Sequence, residues 1–438
     1  MTELPRIHPD DYCDEDLPRL AQPWWQTLPG NFHALPDHFL ADNDTRWRID
    51  YTASIDTLAR TGLASMAGAA ALPATLNISR QREERALVDF YRPFLQEEDP
   101  NTFFSRPTQT ANIERIPVAP YHFQPEDGDA HTLRFRSPFE PKNPALRDRY
   151  LGHRRNRTAW AQHWRHHGEP RPTLIMIHGF VADPYWLNTR WLALPWFYKQ
   201  GFDVLLYTLP FHGRRKGRFA PFSGAEFFSQ GMALLNETFA HAIHDLRLFM
   251  DYLREQGTPA MGATGISLGG YTTGLLAALE DDLAFAIPNV PLVSIMDLMQ
   301  SWFPINLQVG LLKKVYGTDL QGLREVTALH SPLTWPCKVP QCRAHDHWWC
   351  RRPLCATQAQ PSAAPALGEL RSALVPRQSS AASGSGALSE SHARFHEGGA
   401  RGEVGGGERL NSPFPVGAMP APKGVCDMRM RLWGHRRW

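Results

Sequence analysis

Cysteine is nearly missing from the first three quarters of this chain: of six, only Cys13 precedes Cys337, and Cys342, Cys350, Cys355 and Cys426 crowd in behind it. A body with so little cysteine has no disulfide framework and fits a reducing compartment. Long apolar runs are missing too. The greasiest stretch, 62–72 (GLASMAGAAAL), is stopped by Pro73 and falls well short of the ~20 residues of a membrane span, so it reads as a buried helix. The N-terminus (MTELPRIHPDDYCDEDLP) is acidic and carries prolines, unlike the basic start and apolar core of a signal peptide. No transmembrane segment and a cytoplasmic location are the expectations. Charge of one sign is not in excess either: 46 basic against 44 acidic residues give +2. No global field argues for nucleic acid or for an anionic membrane, so any partner has to be argued locally.

What is present is a long chain, 438 residues with 42% hydrophobic content, enough for one large α/β domain with extensions or two ordinary domains. Residues 1–130 are punctuated by proline, with one helix near 79–94 (SRQREERALVDFYRPF) and an aromatic start around Trp24 and Trp25; no function is read from them. From His131 the texture becomes strand-like over Thr132 to Phe135. A stretch dense in arginine and histidine, Arg147 to His167, then reads as an arginine-rich surface helix, although it could also grip phosphate. After Pro172 strand and helix alternate. PTLIMI (172–177) and FDVLLYTL (202–209) are continuous apolar runs, as in strands covered on both faces. An amphipathic helix over 234–255, a strand at 261–264, a small-residue helix at 271–279 and a strand at 283–290, with Pro288 marking its end, complete the pattern. This is the signature of an α/β fold, a mostly parallel sheet with crossover helices. The expected domains are an N-terminal extension (1–130), an incomplete α/β domain (131–336) and a low-complexity tail (337–438).

Chemistry concentrates at Gly265-Ile266-Ser267-Leu268-Gly269-Gly270, a G-x-S-x-G-G run between the third strand and its helix. A serine on a sharp strand-to-helix turn needs small neighbours, because side chains beside it would clash with the adjoining elements. Ser267 would attack an acyl carbonyl and form an acyl-enzyme, with the backbone amide of Leu268 receiving the oxyanion at the helix N-terminus. His178-Gly179-Phe180 follows the first apolar strand, and His212-Gly213-Arg214-Arg215-Lys216-Gly217-Arg218 follows the second. The latter reads as a solvated basic loop, with receipt of an anionic head group or phosphate as the alternative. Met296, Leu298, Met299, Trp302, Phe303, Leu307, Leu311 and Leu312 have partly helical spacing that suits a lid over an acyl pocket or plain core packing.

The order strand, HG loop, strand, helix, serine elbow resembles the α/β-hydrolase superfamily over about 172–336. TGISLGG, HGF and FHGRRKGR together look similar to the α/β-hydrolase domain-containing protein 18-like group. The resemblance implies acyl-ester or thioester hydrolysis on a small-molecule or lipid acyl substrate, with no cofactor, no metal and no nucleic acid. It implies that the Phe180 amide is the second oxyanion donor, that His178 orders the loop rather than acting as base, and that Gly179, Gly265, Gly269 and Gly270 support the motif.

Serine hydrolases of this fold order their triad as Ser, then Asp or Glu, then His, and neither partner is visible in frame. After Val339 the chain contains no Ile and no Tyr and turns rich in Arg, Ala, Gly, Ser and Pro, a composition that cannot readily bury a core. Cys337, Cys342, Cys350 and Cys355 with His345 and His347 hint at zinc, but their spacings lack the paired C-x-x-C of structural sites. The genetic code offers another account. Trp348-Trp349 is TGG-TGG; read one base later, with the next codon starting in T, it becomes Gly-Gly, and His345-Asp346-His347 permits Met-Ile-Ile. Continued to Gln358 and Ala359, that frame permits Glu-Arg-Met-Ile-Ile-Gly-Gly-Ala-Gly-Asp-Arg-Phe-Ala-Pro-Pro-Lys-His, a buried strand ending in a glycine turn and an Asp. Ala373 to Ser380 permits His-Trp-Phe-Pro-Gly-Ser-His, where the catalytic His belongs. The expectation is a frameshift near 337–343 that leaves a hydrolase impaired, since His330 precedes the lost strand and is a poor substitute base. The rival expectation is a non-catalytic interaction protein of the same fold.

Overall fold

The structure, a computed structural model, describes residues 23–30, 61–73, 75–181, 184–289, 292–316 and 319–339. The apolar runs form strands: β1 (Glu114–Pro117), β2 (Gly128–Arg136), β3 (Thr158–His166), β4 (Thr173–Ile177), β5 (Asp203–Thr208), β6 (Met261–Ile266) and β7 (Leu283–Asn289). Their spatial order is β1-β2-β3-β5-β4-β6-β7. The pairs β1–β2, β2–β3 and β3–β5 are antiparallel, and β5, β4, β6 and β7 run parallel. This mostly parallel sheet with helices on both faces is the α/β-hydrolase fold. The helices are α1 (Trp24–Thr27), α2 (61–73), α3 (Ile78–Asp89), α4 (Arg147–Leu151), α5 (Tyr185–Trp191), α6 (Leu194–Lys199), α7 (Ala225–Ser229), α8 (Met232–Glu255), α9 (Leu268–Leu279), α10 (Ile295–Ser301), α11 (Ile305–Tyr316) and α12 (Leu320–Ala328).

Side-chain alternation divides the strands between two cores. Ile175, Ile177, Leu205 and Tyr207 join the larger cluster with α8 and α9. Leu174, Met176, Val204 and Leu206 join the smaller one with Leu194 and Tyr198 of α6. Every residue of β4 and β5 is buried, which is why both read as continuous apolar runs.

Three expectations change. The helix expected as amphipathic over 234–255 is α8; its Asp251, Arg254 and Glu255 are exposed, but most of its earlier polar residues are buried: Glu237 accepts hydrogen bonds from Tyr91 Oη (2.7 Å) and from the amides of Lys142 and Asn143 (2.9 Å each). Polar character in that stretch marks interior groups, not a wet face. Residues 147–167 are not one surface helix: α4 ends at Leu151, and 158–166 form β3, hydrogen-bonded to β2 on one side and β5 on the other. Its His163, Trp164 and His166 are buried. Helix α2 buries Ala64 and Gly68 but exposes Leu72, so it is one-sided rather than enclosed. Pro288 is the penultimate residue of β7, opposite Gly265 of β6, and so marks the strand end as expected; β7 has a neighbour on one side only among the described residues, the position where a sheet tolerates proline.

The segment before 131 is woven into the same body. β1 and the start of β2 belong to the sheet. Glu84 of α3 accepts from the Ala233 amide at the start of α8 (2.7 Å), and Trp24 Nε1 donates to Thr334 Oγ1 (2.9 Å). No helix among the described residues is long and apolar enough to cross a membrane. The tail, the zinc spacing beyond Cys337 and Cys13 lie outside the described residues.

Candidate active site

Strand β6 ends at Ile266 and α9 starts at Leu268, so Ser267 must turn the chain alone. It does so at φ 55° and ψ −114°, a backbone conformation that a residue with a Cβ adopts only at a cost of about 1–3 kcal/mol, and only when its surroundings fix it. The glycines supply the room. A Cβ on Gly265 would run into the carbonyl of Gly269 and lie 2.8 Å from Ile177 O; one on Gly269 would overlap Ile177 O and reach His178 O at 2.6 Å. The elbow is therefore packed backbone to backbone against β4 and the loop that follows it. Gly270 is buried one residue further along α9, while Ser267 itself is half-exposed.

The HG loop lies beside the serine. A Cβ on Gly179 would be 3.7 Å from Ser267 Cβ and 3.2 Å from Ile266 O. His178 is buried, its Nε2 accepting from the Leu209 amide (3.1 Å) and its Nδ1 donating to Gly179 O (2.8 Å). Both ring nitrogens are committed to joining this loop to the end of β5, and burial lowers the imidazole pKa to about 4, so the ring is neutral. Phe180 follows, and Val181 next to it also has a positive φ, 66°. Leu268 opens α9, where an amide has no acceptor within the helix.

One anchor carries no motif signal. The Ser267 amide donates to Asn289 O at 3.0 Å, and Asn289 Nδ2 donates to Thr264 Oγ1 at 2.9 Å, tying the elbow to the end of β7. That bond occupies the serine's own N–H, which leaves the following amide, Leu268, as the one at the helix start. Asn289 is missed by sequence reasoning because an asparagine at a strand end looks like ordinary turn chemistry.

The FHGRRKGR turn departs most from expectation. Instead of a wholly solvated loop, it sends Arg215 into the interior, where its guanidinium pairs with Asp245 of α8 at 2.8 Å and donates to Asn156 O and Tyr207 Oη. Burial raises the Asp245 carboxyl, but His241 and Arg215 outweigh it and hold it well below the usual carboxylate range. His241 Nε2 is 3.1 Å from both Asp245 and Ser137 Oγ. The set Ser137, His241 and Asp245 has the composition of a triad, but Ser137 Oγ donates directly to Asp245 and all three are enclosed, so the cluster is a packing device. His212 is also buried; Nδ1 donates to Pro210 O, and Nε2 has no hydrogen-bond partner among the described residues and rests where a Cβ on Gly224 would sit.

Among the described residues Ser267 Oγ meets no histidine. His330 stacks on Phe239 and bonds Tyr271 Oη through Nδ1 (2.6 Å), and burial takes its pKa to about 3. In the region suited to a lid, Met296 and Met299 of α10 are buried while Leu307 and Leu311 of α11 face outward. Helix α11 rests on α2 through Gln308 Nε2 and Gly68 O (2.8 Å). No group of His, Cys, Asp and Glu among the described residues is arranged to hold a metal ion.

No family model matches the chain. It is 30% identical over 224 residues to the Mycobacterium tuberculosis protein Rv2627c, a stretch covering 50% of this chain and 52% of that protein. The M. tuberculosis protein MT2702 matches to the same extent, so the chain spans about half the length of the curated relatives it matches. Among solved structures, acetyl xylan esterase 1 from Thermoanaerobacterium sp. has 14% identity and a TM-score of 0.39 over 57% of this chain and 75% of that one. The acetyl xylan esterase from Paenibacillus sp. R4 has 12% identity and a TM-score of 0.39 over 59% and 79%. These are distant likenesses, and the fold rests on the strand order and the elbow.

Proposed function

We propose that this chain is built on a serine hydrolase that acts on an acyl ester or thioester through an acyl-enzyme on Ser267. The observation that carries the reading is Ser267 itself, held at φ 55° on a half-exposed turn with Gly179 packed beside it. Oγ would attack the acyl carbon, the oxyanion would lie between the amides of Leu268 and Phe180, and collapse would expel the alcohol or thiol. Water then releases the acid. The resemblance of TGISLGG, HGF and FHGRRKGR to the α/β-hydrolase domain-containing protein 18-like group favours a lipid or small-molecule acyl substrate, and the sparse cysteine of the body favours a reducing, cytoplasmic setting.

The base and acid of such a triad would arrive on strands beyond β7, and the reading includes a change of frame that removes them. Trp335 and Val339 still belong to the core, and Lys338 bonds the end of α9, its amide to Ala277 O (2.9 Å) and Nζ to Leu279 O (3.3 Å). That is the end of the sheet from which β7 starts and from which a further parallel strand would leave, which suits a change of frame near 337–343. Without a base, Ser267 remains a weak nucleophile and only the oxyanion and binding contributions survive, about 10³- to 10⁴-fold over water.

The test begins with the coding DNA across codons 333–345, followed by both chains, as written and frame-restored, offered a fluorophosphonate probe. The restored chain is expected to label at least about 10²-fold faster, the usual contribution of a positioned general base. Equal, rapid labelling of the chain as written would overturn the impaired reading. A second reading, a non-catalytic protein of this fold, is favoured by one observation: His178, His212 and His330 are all buried, each with at least one ring nitrogen bonded away from Ser267. A restored chain that does not label selects it.

A further inference from the structure

The basic turn after β5 splits into an inner and an outer part. Arg215 is buried against Asp245, while Arg214 and Arg218 stay exposed and Lys216 is half-exposed. Among the described residues neither Arg214 nor Arg218 has a carboxylate partner; Arg214 lies 4.8 Å from the centroid of Trp160, and Arg218 lies 5.7 Å from that of Phe219. Phe219 is 90% exposed. It stands at the tip of a turn closed by the Ala220 amide on Gly217 O (3.2 Å), with the base of the turn clamped by Glu226, which accepts from the Gly217 amide and lies 3.4 Å from His153. A phenylalanine held out in water by an ordered turn has no folding benefit to explain it.

The same turn adjoins the elbow. Phe222 packs edge-on against Phe180 at 6.2 Å, and Phe180 follows the glycine that touches Ser267. On the other side, Asn156 binds the Phe211 amide and accepts from Arg215, which brings the neighbouring turn, with exposed Arg154 and Arg155, alongside. Cations around a projecting aromatic ring, on a turn whose Phe222 reaches Phe180 of the HG loop, match the chemistry of a bilayer interface: the ring enters the headgroup and acyl boundary while the guanidiniums meet lipid phosphates.

We propose that the turn carrying Arg214, Lys216, Arg218 and Phe219 is a docking surface for an anionic lipid bilayer. Nucleic acid would also attract the cations, but a single apolar tip flanked by Arg218 and Pro221 offers no run of stacking rings. The proposal does not depend on turnover at Ser267, because vesicle association is read without any reaction.

The experiment is flotation of the full chain with phosphatidylglycerol/phosphatidylcholine vesicles and with pure phosphatidylcholine vesicles. The expected result is binding to the anionic vesicles only, falling about fivefold for each of Arg214→Ala and Arg218→Ala, and falling again in Phe219→Ser. All three side chains are exposed, so circular dichroism should show folded variants. Equal binding to both vesicle types, or anionic binding indifferent to Phe219→Ser, overturns the proposal. So does displacement by inorganic phosphate well beyond that by chloride at matched ionic strength, which would mark a small-phosphate site, or an oligonucleotide bound with the same arginine dependence.

Discussion

Two regions towards the ends of the sheet behave differently. Two strands in from the β1 edge, β3 is hydrogen-bonded on both sides, and its His163, Trp164 and His166 are buried despite a sequence dense in charge. Close by, Arg215, Asp245 and His241 form an enclosed network that bolts the basic turn to α8. At the other end β7 has one neighbour among the described residues, and more than half of its positions are only partly buried. Ser267 sits between these extremes, on the turn after β6, and its fit comes from Ile177, His178, Gly269 and the α9 backbone, all of them mid-sheet. The lesson is that the steric fit of the elbow is set mid-sheet while one of its backbone anchors, Asn289 O, lies on the open β7 edge, so the strained shape alone does not establish activity.

This contrast can be broken or sharpened in three ways. The largest effect should follow Asp245→Ala, which leaves the Arg215 guanidinium buried without its counter-charge; urea unfolding should show a loss of about 3–5 kcal/mol. A loss within ordinary surface scatter would mean that the closed end is not bolted as described. Next comes acid. Burial lowers the pKa of His163 and His330 to about 3 and of His178 and His241 to about 4, against an ordinary 6.5. Below pH 6.5 the unfolded chain takes protons that the folded chain refuses. Stability is therefore full above that pH and falls as pH drops towards about 4, visible as a declining urea midpoint; a flat midpoint across the window would contradict the buried, neutral rings. The smallest effect is local. Amides of β5 should exchange with deuterium only through global unfolding, and those of β7 through a lesser opening. On the proposed change of frame, a frame-restored chain should gain protection in β7 and leave β5 unchanged.

Much of the parallel core was legible because its strands are buried on both faces and show it as unbroken apolar runs: β4, β5 and β6 fall where those runs stand. The elbow and its glycines were legible for a steric reason, since nothing larger fits where Gly265 and Gly269 meet β4. Interior polar residues were not. The arginine of the basic turn that enters the core, and the polar residues of α8, carry the same letters as solvated ones, and only a partner distant in sequence, such as Asp245 for Arg215 or Tyr91 for Glu237, distinguishes them. β3 was misread for the same reason: its pairing to β2 and β5 is non-local, and tertiary context overrides composition. Asn289 was invisible because it acts through its carbonyl, which every residue possesses.

The clasp of Lys338 on α9 has a use beyond folding. Among the described residues, Lys338 ties the chain to the end of α9 through Ala277 and Leu279. A chain cut after Val339 and given the restored segment as a separate peptide would keep its docking point. On the proposed reading the same position is then a seam between two pieces, and probe labelling of Ser267 would report that they had met.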